Sequence, residues 1–230
     1  MKSANQWHLF IANPDGFWEW FQKHLEKFKY PSRLSAKDYA YWNGELCSTL
    51  QSYSISTLFA DVISDEPNNQ ARVIISAHGD ARYFEMVELF VAGAPDMEGW
   101  EVVAFYPPMP AAGCIRHNYP SVTTTPDEIF FSPLQLGQVN GMYNLELYID
   151  EKIPITWEVR GAASQIMYNL LGEKTGGLYI RKVSVSSLEA VLPGLRQSLL
   201  PMTQLSQYIQ LDKRSVLVVN PVGKIKPGGG

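Results

Sequence analysis

Four histidines and two cysteines are all that this 230-residue chain offers to metal or thiol chemistry. Cys47 and Cys114 read as ordinary thiols of a reducing compartment, since small secreted domains carry bridges in number, although a single bridge between the two stays open. No apolar run approaches the roughly 18 residues of a membrane-spanning helix. Met1 to His8 also lacks the apolar core of a signal peptide, so a cytoplasmic protein without a membrane association is expected. Neither sign of charge dominates: 19 Lys and Arg against 23 Asp and Glu give a net charge of −4. That balance leaves no basic field to gather nucleic acid or an anionic membrane surface. Missing as well are a Gly-x-Ser-x-Gly elbow, a His-Glu-x-x-His helix and a Gly-x-Gly-x-x-Gly turn after a strand. No cofactor and no metal are therefore assigned.

What the chain has in quantity is apolar and aromatic mass, 46% and 12% of its residues. At this length it buries roughly 70–75% of the surface its unfolded form exposes, so a core needs no staple. Asn13-Pro-Asp-Gly16 supplies an N-cap and a first-turn proline, after a possible short strand over Gln6 to Ala12. Phe17, Phe21, Leu25 and Phe28 then recur at helical spacing, with Trp18 and Trp20 widening the stripe. Pro31 ends that helix. Ser35-Ala-Lys-Asp38 resembles a capping box and opens a second helix with Tyr39, Trp42, Leu46 and Leu50 in register. Together they predict an aromatic helical hairpin.

The stretch around which the rest is organised runs from Arg72 to Pro108. Strands are predicted over Ser56 to Ile63 and Ala71 to Ala77, joined by the turn residues Asp65 to Gln70. Asp80 caps a helix with Phe84, Val87, Phe90 and Val91 on its face, and Trp100 to Tyr106 follows as a strand. Whether that last strand pairs parallel or antiparallel is open from sequence. After a Pro- and Thr-rich connection the order recurs: strands over Glu128 to Ser132 and Gly141 to Ile149, a helix over Gly161 to Leu171 stopped by Gly172, and a strand over Gly177 to Ser184. A capping box at Ser186 to Glu189, a helix over Thr203 to Leu211 and a strand over Ser215 to Val219 complete the pattern. The fold class expected is α+β, a mixed or antiparallel sheet packed by helices, with a strand-strand-helix-strand unit repeated after the helical hairpin. The corresponding divisions are 1–108, a connection at 109–126, a second unit at 127–223 and a tail at 224–230; one compact domain is the alternative.

Phe17-Trp-Glu-Trp-Phe21, Ile75-Ser-Ala-His-Gly79, Ala94-Pro-Asp-Met-Glu-Gly-Trp100 and Leu171-Gly-Glu173 resemble a bacterial family known as domain of unknown function 695. The resemblance implies a bacterial α/β protein and transfers no catalytic residue.

His78-Gly79-Asp80 lies where a buried strand hands over to a helix start, a place whose N–H groups and dipole favour anions. With Arg82 it forms a candidate site for a small anionic ligand, or for His78 acting as a general base beside Asp80. The bland alternative is an N-cap, a turn glycine and a rim histidine. Cys114 and His117 stand three apart in a loop, half of a metal or nucleophile motif, so His117 is carried as a catalytic candidate only with His78. Acidic pairs such as Asp65-Glu66, Asp127-Glu128 and Asp150-Glu151 sit at turns and read as solvated charge. The aromatics Trp18, Trp20, Tyr41, Trp42 and Trp100 exceed what a two-helix face needs to bury, so either a thick core or a contact surface explains them. The functional expectation is a non-catalytic binding or protein-interaction module, with a small-molecule hydrolase near His78 and Asp80 as the alternative. Oligomeric state is left open.

Overall fold

The computed structural model describes residues 12–54, 56–114, 119, 122–133, 137–139 and 141–209. The expected strands over Gln6 to Ala12 and Ser215 to Val219, and the tail at 224–230, lie outside the described residues, apart from Ala12.

Helix α1 (Pro14–Lys23) starts where Asn13 accepts a hydrogen bond from Gly16 N–H through its side chain. His24 interrupts the helix, and α2 (Leu25–Lys29) continues in a new direction. Phe17, Phe21 and Phe28 are buried as the periodicity requires. Helix α3 (Ala36–Tyr53) is capped by Ser35, whose Oγ accepts from Asp38 N–H and donates to the Asp38 carboxylate. Strands β1 (Phe59–Asp65) and β2 (Gln70–Ser76) form an antiparallel hairpin, with Asn69 in the left-handed region at its turn. A 3-10 turn capped by Asp80 leads into α4 (Phe84–Ala92), and β3 (Trp100–Ala104) returns parallel to β2. The first sheet is thus β1-β2-β3, with its core among Phe17, Trp18, Phe21, Leu46, Val73, Ile75, Val87 and Phe90.

The second unit repeats that path. Strand β4 (Ile129–Phe131) pairs antiparallel with β6 (Met142–Ile149), which pairs parallel with β7 (Ile180–Ser187) after a helical crossover. In each unit a central strand has an antiparallel neighbour before it in sequence and a parallel one after it. The second sheet is completed by β5 (Gly137–Val139) beside β6 and the two-residue β8 (Leu200–Pro201) beside β4, with a short helix α7 (Pro193–Arg196) before β8. The fold is α+β, with two mixed sheets and a separate apolar core for each.

Three expectations are corrected. The crossover helix α5 spans Trp157–Leu171, four residues earlier than expected, because Thr156 caps it through Val159 N–H. The expected strand over Gly177 to Ser184 begins instead with helix α6 (Glu173–Tyr179), and β7 starts only at Ile180. Gly176 and Gly177 read as strand or turn residues, yet tertiary contact holds them in the helix. A Cβ on Gly177 would collide with the Gly79 carbonyl oxygen and the Phe84 ring, so glycine is what lets α6 lie against the first unit. β5 had no expected counterpart.

Candidate functional site

The carboxyl ends of β2 and β3, two adjacent parallel strands, lie at the junction of the units, where open α/β sheets commonly place ligands. After Ser76 the chain takes His78 and Gly79 through the left-handed region, at φ 50° and 81°. After Ala104, Phe105 does the same at φ 69°, a strained choice for a bulky residue. This inverts the alternation of β3, so Phe105 turns into the core and Tyr106 onto the opposite face. The three N–H groups so exposed all point to one acceptor. Glu173 Oε1 accepts from Ala77 N–H at 2.8 Å and Gly79 N–H at 3.1 Å, and Oε2 accepts from Tyr106 N–H at 3.1 Å.

Glu173 is 5% exposed and begins α6 directly after Gly172, which is itself left-handed. Its backbone N–H donates to the Tyr106 carbonyl, closing a second link between the same two places. The turn that sequence suggested for a small anion is therefore an anion-binding nest, and the anion it holds is a carboxylate of this chain.

The neighbouring candidates are also engaged. The exposed His78 ring stacks on Phe59 at 3.9 Å between centroids, and its N–H donates to Ser76 Oγ. Asp80 accepts from the Arg82 guanidinium in a two-pronged pair, closest at 2.5 Å, which holds the Asp80 carboxyl below the ordinary range and raises Arg82 further. His78 and Asp80 are thus two residues apart without a printed bond between their side chains, and Asp80 answers to Arg82. His117 lies outside the described residues. Cys114 donates weakly to the Pro110 carbonyl, and burial pushes its thiol pKa up, away from a nucleophilic thiolate. Among the described residues no three His, Cys, Asp or Glu side chains converge as a metal site.

The aromatic candidates separate into interior and surface. Trp18 is 1% exposed and donates its indole N–H to the Phe90 carbonyl at 2.7 Å, so it is a core residue. Trp100 sits edge-on to Phe21 at 5.1 Å on the margin of that core. Trp20, Tyr41 and Trp42 come together across α1 and α3 with a member that sequence reasoning missed. His24 lies 4.8 Å from the Trp20 ring and 5.1 Å from Trp42, which meets Tyr41 at 5.4 Å. His24 Nδ1 is 2.8 Å from the Trp20 carbonyl oxygen, which only accepts, so Nδ1 carries a proton and donates. Tyr41 is 57% exposed, and Lys27 stands over the Trp42 ring at 5.8 Å.

Glu173 and Tyr106 were the other omissions. Tyr106 O–H donates to Asp61 at 3.1 Å, and its pKa is raised, first by burial and then by the Asp61 charge. The one available signal was Gly172-Glu173, a glycine followed by an acid at a helix start, which favours negative charge there. Two depressions border the sheets: one of 540 Å³ beside β3, lined mainly by Ala94 to Glu98 with Val91, Trp100 and Val102, and one of 340 Å³ between Phe130, Asp150, Glu151 and Arg196. No helix among the described residues is long and apolar enough to cross a membrane. No protein-family model, curated protein or solved structure matches the chain.

Proposed function

We propose that the chain is a non-catalytic protein-interaction module that makes contact through Trp20, Tyr41 and Trp42. The observation that carries this is the continuous stack of Trp20, His24, Trp42 and Tyr41, which is partly open to solvent, whereas the Phe17, Trp18 and Phe21 beside it are buried. Aromatic groups held rigid by neighbours and exposed on one side lose little conformational freedom on binding, which is why they dominate interface energetics. The resemblance to domain of unknown function 695, with a bacterial and cytoplasmic setting, belongs to the same proposal. A hydrolase centred on His78 and Asp80 has weaker support, since Asp80 is neutralised by Arg82 and the nearby N–H donors serve Glu173.

The test is capture of the partner by immobilised protein from lysate, followed by its affinity for Tyr41→Ala and Trp42→Ala. Tyr41 is exposed enough for its loss to leave stability within about 0.5 kcal/mol, so a weakening of affinity by about ten-fold at unchanged Tm is expected. Unchanged affinity in both variants refutes the assignment. Turnover on an ester or phosphate panel that disappears in His78→Ala supports the hydrolase instead.

A further inference from the structure

The two edges of the first sheet are finished differently. The Ala71 N–H donates to Gly99 O and the Phe105 N–H to Ile75 O, which together with the parallel register fixes which β3 groups face β2. Glu101 and Val103 turn their N–H and C=O inward to that ladder; Val102 and Ala104 turn theirs away from it. On the opposite edge, the outward groups of β1 are covered by side chains. The Gln51 amide donates to Leu58 O, the Cys47 thiol to Ala60 O, and the Val62 N–H donates to the Asp61 carboxylate. Nothing equivalent covers Val102 or Ala104 among the described residues.

Beside this uncovered edge runs the 540 Å³ groove. Its apolar lining comes from Val91, Ala94, Met97, Trp100 and Val102, the partly buried margin of the first core. Its rim carries Asp96 and Glu98, exposed and without an ion-pair partner among the described residues. An uncovered row of backbone donors and acceptors selects an extended chain, an apolar channel alongside selects alternate apolar side chains, and unpaired carboxylates select basic ones.

We propose that β3 accepts an extended segment of a partner protein as an added strand, one alternating apolar residues with Lys or Arg. The apolar side chains enter the groove over Val91 and Met97, and the basic ones meet Asp96 and Glu98. A second copy of this chain would bring its own Asp96 and Glu98 to the same edge, like charge against like, and is disfavoured for that reason. This surface is separate from the Trp20 and Tyr41 stack.

The experiment uses a fluorescein-labelled peptide of about eight residues alternating valine and lysine, titrated with the full chain and read by anisotropy, beside a valine and glutamate counterpart. Saturable binding of the basic peptide alone is expected, with slowed hydrogen exchange at the Val102 and Ala104 amides. Because the Val102 N–H faces away from β2, Val102→Pro removes no bond of the existing ladder. It is expected to weaken binding about ten-fold or more with circular dichroism unchanged, and Asp96→Lys with Glu98→Lys should do the same without touching the backbone. Tyr41→Ala should leave peptide affinity as it was, which separates this surface from the aromatic one. The proposal is overturned if the basic peptide does not bind, if the acidic peptide binds equally, or if neither variant at the edge weakens binding. It is also overturned if sedimentation shows a dimer that Val102→Pro dissociates, since the edge then belongs to a second copy.

Discussion

Glu173 is the residue on which the junction turns. Three backbone N–H groups converge on its buried carboxylate, and each would be left without an acceptor if the side chain were removed. Hydrogen bonds to a charged group contribute more than neutral ones, and a buried donor left unpaired adds its own penalty. Glu173→Ala is therefore expected to cost about 3 kcal/mol in urea unfolding, with Glu173→Gln recovering part of the loss because one amide oxygen still accepts. Gly177→Ala acts on the same contact from the other side, by collision with Gly79 O and Phe84, and should cost about 1–3 kcal/mol. Tyr106 yields a prediction in pH. Its pKa is higher folded than unfolded, so its contribution is intact below the ordinary tyrosine value of about 10 and declines as pH rises above it. Titration of phenolate absorbance should show one late component that Tyr106→Phe removes.

Among the elements, those that declare themselves in sequence are those whose signals are local. Asn13 with Pro14 and Ser35 with Asp38 start their helices where the capping chemistry says they must, and Ser35→Ala should lower stability by about 1 kcal/mol in thermal or urea unfolding. The β1-β2 hairpin and the α4 face were equally legible, through alternation, a turn rich in Asn and Pro, and helical spacing. Where tertiary contact overrides local preference, sequence fails. Gly176-Gly177 argues against a helix until the Gly79 backbone and the Tyr168 and Phe84 rings are brought against it. Likewise His78 was legible as a strand-to-helix corner, but its use was not, since the group that fills the corner arrives from 94 residues beyond Gly79. His24 carries no motif at all; it joins the aromatic stack because the break between α1 and α2 turns its ring between Trp20 and Trp42.

For the molecule as a whole, the two cores are joined through a small set of contacts. These are the Glu173 carboxylate, its N–H to Tyr106 O, Met109 N–H to Asn169 O, the exposed Lys174–Glu88 pair and the seat of Gly177. Lys174–Glu88 is solvent-screened and adds little. Cooperativity between the units then rests chiefly on the buried carboxylate. Differential scanning calorimetry of the unaltered chain should show one transition, and Glu173→Ala should separate it into two, each following one core.

The unequal edges of the first sheet also set a valence. A sheet open on both sides can be joined on both sides, and such units polymerise into ribbons without end. With β1 sealed by Gln51, Cys47 and Asp61 and only β3 left open, the first sheet of each molecule can be joined once. Along that sheet the chain is monovalent: whatever docks there terminates growth in the act of binding.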